Sequence, residues 1–215
     1  MIVILFDLDG TLIDSTEAIL DGFRHTFEKF NKKYPGDEEV KRLIGLPLEV
    51  MFSNLGIKEN VWDFVSAYKE RYRIISKEKT ILLPNAKEAI KEAKEFARLG
   101  IVTTKTGLYS RELLEHFGVM DYFEILIGRE DVENPKPHPE PILKAIHLMN
   151  AKKETTFMIG DTCLDMVSAK EAGVGGIGVE FMYEEKKKLL ECSEIVKRDV
   201  LEAVRFIKTS SKNFY

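Results

Sequence analysis

An uninterrupted apolar run ends in two acidic residues near the start of the chain. Residues 2–6 read Ile-Val-Ile-Leu-Phe and lead directly into Asp7-Leu8-Asp9-Gly10. Apolar runs of this length are typical of parallel strands buried on both faces, and ligands bind beyond the carboxyl ends of such strands. Side chains alternate along a strand, so Asp7 and Asp9 face the same side if the strand continues. We therefore predict a reactive site at this strand end, with a simple Asp-Gly turn as the alternative.

The rest of the chain alternates between two kinds of segment. Amphipathic helical stretches separate strand-like runs at about residues 2–6, 100–104, 124–128, 155–160 and 175–179. Such alternation is typical of βαβ units. The sequence predicts an α/β fold in which a parallel, Rossmann-like sheet forms the core.

One long segment interrupts this alternation. Between Asp14 and Pro84 the sequence shows only helical periodicity, over too many residues for an ordinary crossover connection. We predict that residues 1–14 and 84–215 form an α/β core. Residues 15–83, called the insert below, are predicted to form a small helical domain inserted after the first strand.

Aromatic residues of the insert recur at helical spacing. Phe23, Phe27, Phe52 and Phe64 follow this pattern, and Trp62 lies beside them in the sequence. We expect these side chains to pack in the interior of the insert, with the alternative that some of them line the side that faces the strand-end site.

Composition excludes several classes of protein. The chain has 215 residues with a net charge of −4, and its acidic and basic residues are interspersed, so nucleic-acid binding is not expected. No apolar stretch approaches the ~18 residues of a membrane span, and the first residues lack a signal-peptide pattern, so we expect a cytoplasmic protein without a membrane partner. Cys163 and Cys192 lie in no zinc-binding pattern, and we expect both to be reduced.

Three further segments carry polar groups where strands are predicted to end. Thr103 and Thr104 offer hydroxyls and backbone amides to phosphate oxygens. Lys136 lies among three prolines, which restrict the backbone and hold one positive charge in place. Asp161 and Asp165 follow the next apolar run and are four residues apart, a spacing that lets both face one hard cation. Taken singly, each segment also has a purely structural explanation.

In this order the segments resemble the haloacid dehalogenase-like hydrolase superfamily. The resemblance covers nearly the whole chain and implies a five-stranded parallel sheet with a helical cap inserted between the first and second motifs. It rests on Asp7-x-Asp9-Gly10-Thr11, Thr103, Lys136-Pro137 and Gly160-Asp161-x-x-x-Asp165.

The resemblance implies a role for each motif residue. Asp7 would attack phosphorus and form an aspartyl-phosphate, while Asp9 would serve as acid and then as base. Thr103, Thr104 and Lys136 would bind the phosphoryl group, Lys136 also offsetting negative charge during catalysis.

The same resemblance implies a metal site. The cofactor would be Mg²⁺, held by Asp7, the Asp9 carbonyl and Asp161. Asp165 would lie just outside these ligands and orient waters or the lysine.

Within the superfamily the chain is similar to the phosphoglycolate phosphatase and pyrophosphatase group, in the segments Leu12-Ile13-Asp14-Ser15, Ile44-Gly45-Leu46-Pro47-Leu48 and Ile101-Val102-Thr103-Thr104-Lys105. The implied substrate is a small phosphorylated metabolite, with pyrophosphate as the alternative, and the implied state is a monomer or homodimer. Cap residues Arg42, Gly45 and Leu46 are candidates for substrate specificity.

Two other classes of protein remain open. A partner-binding pseudoenzyme on this fold would be expected to lack a catalytic carboxylate, and a receiver domain would lack the insert.

Overall fold

A six-stranded parallel sheet forms the centre of the computed structural model, which describes residues 1–211. The sheet strands are β1 (Ile2–Phe6), β4 (Ala97–Val102), β5 (Ile125–Ile127), β6 (Thr156–Gly160), β7 (Gly175–Val179) and β8 (Val196–Lys197), and a separate pair consists of β2 (Ile13–Asp14) and β3 (Ile81–Leu82). The strand order in the sheet is β5-β4-β1-β6-β7-β8, so β1 lies between β4 and β6. The α/β prediction is confirmed.

The predicted strands occur close to their expected positions, with two differences. β4 begins earlier than predicted because its first residues pair with β1, where Ala97 lies opposite Ile2. The sheet has six strands rather than the five expected, since Val196 and Lys197 pair with the edge of β7. Two residues are too few to produce a periodic signal in the sequence.

Ten α-helices accompany the strands within the described part of the chain. Four belong to the insert, and the others connect strands of the sheet or follow it. They are α1 (Thr16–Lys29), α2 (Asp37–Lys41), α3 (Leu48–Asn54), α4 (Val61–Ile75), α5 (Ala86–Lys94), α6 (Gly107–His116), α7 (Glu140–Leu148), α8 (Cys163–Ala172), α9 (Lys186–Cys192) and α10 (Val200–Ser211).

The helices of the insert share a hydrophobic cluster of their own. Phe23 and Phe27 of α1 pack against Phe52 of α3 and Phe64 of α4. The chain leaves and re-enters the core through the antiparallel pair β2–β3, in which Ile13 lies opposite Leu82. This ribbon was not predicted, because each of its strands is only two residues long.

Trp62 differs from the other aromatic residues of the insert. It is 65% exposed, so the expectation that it packs inside the insert is wrong. It occupies the second position of α4, to one side of the buried face that carries Phe64, Val65 and Tyr68, and it borders the cavity described below. Helical periodicity places these three residues inward and Trp62 outward.

Two hydrophobic clusters cover the faces of the sheet. Alternate residues of β1 contribute to each cluster: Ile4 and Phe6 to one, and Val3 and Leu5 to the other. All four side chains are at most 1% exposed, as expected for a parallel strand covered on both faces.

The two cysteines form a disulfide, which overturns the expectation that both are reduced. Cys163 begins α8 and Cys192 ends α9, and their Cα atoms lie 5.6 Å apart. The cysteines are 29 residues apart in sequence, so only the packing of α9 beside α8 brings them together. None of the helices in residues 1–211 is long and apolar enough to cross a membrane.

Candidate active site

The carboxyl ends of three adjacent strands bring together the first, second and fourth motifs. Asp7 follows β1, and its amide donates to the Ile159 carbonyl of β6 at 2.9 Å. Thr103 follows β4, and its amide donates to the Ile127 carbonyl of β5 at 3.0 Å. The sheet ladder thus continues one residue past each strand, which fixes these two side chains relative to Asp161 at the end of β6.

Lys136 brings the third motif to the same place. Its ammonium lies 2.8 Å from Asp7 Oδ1 and 2.5 Å from Asp165 Oδ1, and it also donates to the Val102 carbonyl at 3.0 Å. The residue is 3% exposed. A buried ammonium is stable only with such compensation, so Lys136 is held between two carboxylates and the end of β4.

Asp165 is fixed by the helix that carries it. It is the third residue of α8, where its Oδ2 accepts from the Thr162 amide at 3.1 Å and the Thr162 hydroxyl at 2.8 Å. These bonds satisfy orphan donors at the start of the helix. One oxygen of Asp165 therefore serves the helix terminus and the other serves Lys136.

Asp161 carries an unsatisfied polar atom at the centre of the site. It is fully buried, its Oδ1 lies 3.4 Å from the Thr11 hydroxyl, and Oδ2 is one of three buried side-chain polar atoms without a hydrogen-bond partner in residues 1–211. Carboxylate oxygens of Asp7, Asp161 and Asp165 all lie within 4.8 Å of one another. Three buried acidic groups at this separation, one with a free oxygen, fit a hard divalent cation.

The electrostatics of the cluster agree with that fit. Burial raises the pKa of Asp7 to about 7, an effect that Lys136 opposes and Asp165 reinforces. Burial, together with Asp7 and Asp165, raises the pKa of Asp161 well above its usual value. Burial alone would lower the pKa of Lys136, but Asp165 and Asp7 more than offset it and the pKa is raised. A single lysine thus leaves negative charge uncompensated among these groups.

Two glycines let the chain pass close to these carboxylates. Gly10 has φ +80°, and a Cβ there would lie 2.2 Å from Asp161 Oδ2. A Cβ on Gly160 would lie 2.3 Å from the Asp165 Cγ. Any side chain at either position would displace a carboxylate, which explains the glycine in each motif.

Asp9 lies at the edge of this cluster and has partners of its own. Its Oδ1 accepts a hydrogen bond from the buried Ser15 hydroxyl, and its Oδ2 lies 2.8 Å from the Lys105 ammonium. Burial would lower the pKa of Lys105, but Asp9 more than offsets this and the pKa is raised. The Lys105 ammonium also lies 4.7 Å from the ring centre of Tyr72, which belongs to the insert.

The two threonines of the second motif face different partners. Thr103 Oγ1 accepts from the Lys105 amide at 3.1 Å, which leaves its own hydroxyl hydrogen available to donate. The Thr104 hydroxyl donates to the Gly45 carbonyl of the insert at 2.7 Å. The Thr104 hydroxyl therefore ties the core to the insert.

A cavity of about 200 Å³ lies between the strand ends and the insert. Asp9 and Lys105 border it on the core side, while Gly45 and Leu46 border it on the insert side. The third cap candidate, Arg42, is not among the described residues that line it. Its exposed guanidinium pairs instead with Glu39 one turn away, at 2.9 Å.

Known proteins share this layout. A model of the haloacid dehalogenase-like hydrolase family matches residues 4–179. The chain is 37% identical over 172 residues to the pyrophosphatase PpaX of Halalkalibacterium halodurans, with 80% of each protein covered. It is 32% identical over 184 residues to the probable phosphatase IndB of Dickeya dadantii, covering 82% of this chain and 80% of that protein.

The chain belongs to the haloacid dehalogenase-like hydrolase family. A solved haloacid dehalogenase-like hydrolase from Streptococcus pneumoniae superposes with a TM-score of 0.86 at 26% identity, over 96% of this chain and 98% of that one. The protein is a phosphatase of this family. The pseudoenzyme and receiver alternatives lose their basis, since every motif carboxylate is present and the insert lies beside the site.

Motif reasoning found most of the groups that meet here but missed two that contact Asp9. Ser15 and Lys105 each belong to a segment that resembles this family, but neither was predicted to contact Asp9. Lys105 had a usable signal, because it follows Thr103 and Thr104 at the same strand end. Ser15 had none, since its contact depends on how the chain turns after Gly10.

Proposed function

We propose that the protein is a Mg²⁺-dependent phosphatase that hydrolyses a small phosphorylated metabolite through an aspartyl-phosphate on Asp7. One observation carries the proposal. Asp7 is buried beside Lys136 at the end of β1, and Asp9, two residues later, borders the cavity and is close enough to contribute to the raised pKa of Asp7. A nucleophile, a fixed positive charge and a second carboxylate are the parts that such a reaction requires.

Each step can be written for these side chains. The Asp7 carboxylate attacks phosphorus, the bond to the leaving oxygen breaks, and Asp9 gives that oxygen its proton. Asp9, now a carboxylate, takes a proton from a water that attacks the phosphorus of the aspartyl-phosphate. The bond from Asp7 to phosphorus breaks, inorganic phosphate leaves, and both side chains return to their starting states.

Other residues bind and orient the phosphoryl group. The Thr103 hydroxyl and the Thr104 amide donate to its oxygens, and Lys136 stabilises the charge that develops on them. Asp7, the Asp9 carbonyl and Asp161 would hold Mg²⁺, with Asp165 beside them. The ion would neutralise phosphoryl charge. This is needed because a phosphate would otherwise be repelled by the three buried carboxylates.

The substrate proposal has two candidates. Similarity to the phosphoglycolate phosphatase group supports a phosphorylated small organic acid. The relative at 37% identity is named a pyrophosphatase, which supports pyrophosphate as the second candidate. Both would enter from the cavity under the insert, and we propose that the insert acts as the cap that selects between them.

A direct test looks for the intermediate and for turnover. The protein is incubated with Mg²⁺ and p-nitrophenyl phosphate, phosphoglycolate or pyrophosphate, and phosphate release is measured. Borohydride reduction during turnover converts an aspartyl-phosphate to homoserine, so a mass change is expected in the peptide that contains Asp7. The matched control is Asp121→Asn, which alters an exposed aspartate outside the site and should change neither result. Rapid turnover without any reducible group on Asp7 would contradict the covalent mechanism.

A further inference from the structure

The cavity beside Asp9 has a positively charged group at its core side. Lys105 follows Thr103 and Thr104 in the same strand-end loop, and only 10% of its side chain is exposed. Its Cα is carried by the core rather than by the insert, so its distance from the phosphoryl-binding groups is set by the sheet. Burial of an ammonium costs desolvation free energy, so a buried lysine requires an anionic partner that compensates its charge.

The other cations that line the cavity are held differently. The Arg129 guanidinium is bound by Glu49 of the insert, with nitrogen-to-oxygen distances of 2.9 and 2.7 Å, and it also donates to the Val132 carbonyl. Lys69 is carried by α4 and therefore belongs to the insert. Lys105 is the core-borne lysine in direct contact with Asp9.

The position of Lys105 relative to Asp9 limits what it can contact in a substrate. This step rests on the proposed function, in which Asp9 hydrogen-bonds the leaving oxygen at about 2.6–3.2 Å. The Lys105 ammonium is 2.8 Å from the same carboxylate. A charged oxygen joined to the leaving oxygen through one or two atoms therefore falls within reach of that ammonium.

We infer that Lys105 is a specificity-determining residue that selects substrates whose leaving group carries a second anion next to the leaving oxygen. A carboxylate one carbon away and a second phosphoryl group both satisfy this requirement. In the absence of substrate, Asp9 is the anion that compensates Lys105. When a substrate of this class binds, its own anion contacts the Lys105 ammonium together with Asp9.

The experiment compares two substrates that differ only in this charge. Phosphoglycolate carries a carboxylate one carbon from the ester oxygen, and phosphoglycolamide carries a neutral amide in its place. For the unaltered protein with Mg²⁺, kcat/KM is expected to favour phosphoglycolate by about 10- to 100-fold, as for a charge-assisted hydrogen bond. In Lys105→Met the preference should fall to within about threefold, mainly through KM for the acid.

Three further variants make the result specific. Lys105→Arg should recover part of the preference because it restores the charge, and Lys105→Gln replaces the methionine variant if that protein does not fold. Lys29→Met removes an exposed lysine that pairs with Glu70 on the surface of the insert, and it should leave the preference unchanged. Circular dichroism and melting temperature establish folding for each protein.

The outcomes separate the two proposals. Equal losses on acid and amide in Lys105→Met and Lys105→Gln would overturn the inference, because Lys105 would then act only on Asp9, while the proposed phosphatase function would stand. Absence of turnover in the unaltered protein on phosphoglycolate, pyrophosphate and p-nitrophenyl phosphate would overturn the proposed function, and the inference with it.

Discussion

The strand-end site and the insert are held together by different kinds of contact. At the strand ends, the buried Lys136 ammonium lies within 3 Å of carboxylate oxygens of both Asp7 and Asp165. In the insert, aromatic rings fill the interior, as where Phe30 stacks on Phe64 at 4.2 Å between ring centres. The first arrangement depends on direction and charge, and the second depends on volume and apolar area.

Under the proposed function, this contrast separates the groups expected to carry out the chemistry from those expected to select the substrate. A site made of short, directional contacts tolerates almost no change, because each group compensates another. A packed aromatic cluster tolerates moderate changes in shape, so its cavity-facing residues can vary while the insert still folds. Substitutions of Asp7, Lys136 or Asp165 should therefore affect all substrates alike, and substitutions that face the cavity, including those of Lys105, should affect some substrates more than others.

The largest effect is expected from the strand end of β1. Asp7→Asn should reduce kcat by on the order of 10³-fold or more, since an amide cannot form the aspartyl-phosphate. Asp9→Asn should reduce it by about 10²-fold or more through loss of acid–base catalysis. Phosphate release under saturating substrate measures both, and melting temperatures near that of the unaltered protein would exclude unfolding as the cause. Near-normal rates in purified Asp7→Asn would refute the mechanism.

Disturbing the carboxylate cluster without removing a carboxylate should also be severe. In Gly10→Ala the new Cβ collides with Asp161, so we expect the apparent affinity for Mg²⁺ to fall about tenfold or more. Titration of activity against Mg²⁺, and calorimetric binding of Mg²⁺ alone, would measure this change.

Gly118→Ala supplies the control for Gly10→Ala. Gly118 also has a positive φ, at +65°, but a Cβ there has nothing within 4 Å. Both substitutions carry a similar backbone penalty, of about 1 kcal/mol. If Gly118→Ala lowered Mg²⁺ affinity as much as Gly10→Ala, the collision with Asp161 would not be the cause.

Excess chelator should abolish the activity of the unaltered protein, and Ca²⁺ should support it poorly.

The cavity wall should show selective effects of intermediate size. Leu46→Ala removes apolar contact from the cavity and should lower kcat/KM for the preferred metabolite by about tenfold. Hydrolysis of p-nitrophenyl phosphate should change much less, because it has fewer remote contacts to lose.

Arg42→Ala is the matched control in the same segment. Its guanidinium is exposed and pairs with Glu39, so the ratio between the two substrates should stay within about twofold. Equal losses on both substrates in Leu46→Ala would mean that this residue supports folding rather than selection.

The smallest expected effect concerns the stability of the insert. Asp21 of α1 contacts Arg71 of α4 at 2.7 Å and Lys79 at 2.8 Å, and these contacts lower its pKa to about 2. A lowered pKa stabilises the folded state above about pH 4, and this contribution is lost as the pH falls toward 2. Asp21→Asn should cost about 1 kcal/mol at pH 7 and little at pH 2, as measured by urea unfolding. An equal cost at both pH values would show that charge is not the origin.

Sequence reasoning succeeded where a pattern is local and repeated. The apolar run before Asp7 and the run before Asp161 each predicted a buried strand that ends in carboxylates, and both strands are present. It failed where the pattern is short or long-range. The ribbon of Ile13 and Asp14 with Ile81 and Leu82 leaves no periodic signal, and the disulfide joins residues whose separation in sequence gives no indication of contact.

The sequence by itself determined the α/β core, the helical nature of the insert and the residue types at the strand ends, because burial on two faces and the geometry of strands and helices impose visible periodicities. Only the tertiary structure decided which groups touch. It placed Lys105 against Asp9, the Thr104 hydroxyl against the Gly45 carbonyl, and Arg42 outside the cavity. Such contacts depend on how the insert folds back over the sheet. That geometry is set by packing between segments that are far apart in the chain, and such packing produces no periodic pattern in the sequence of either segment.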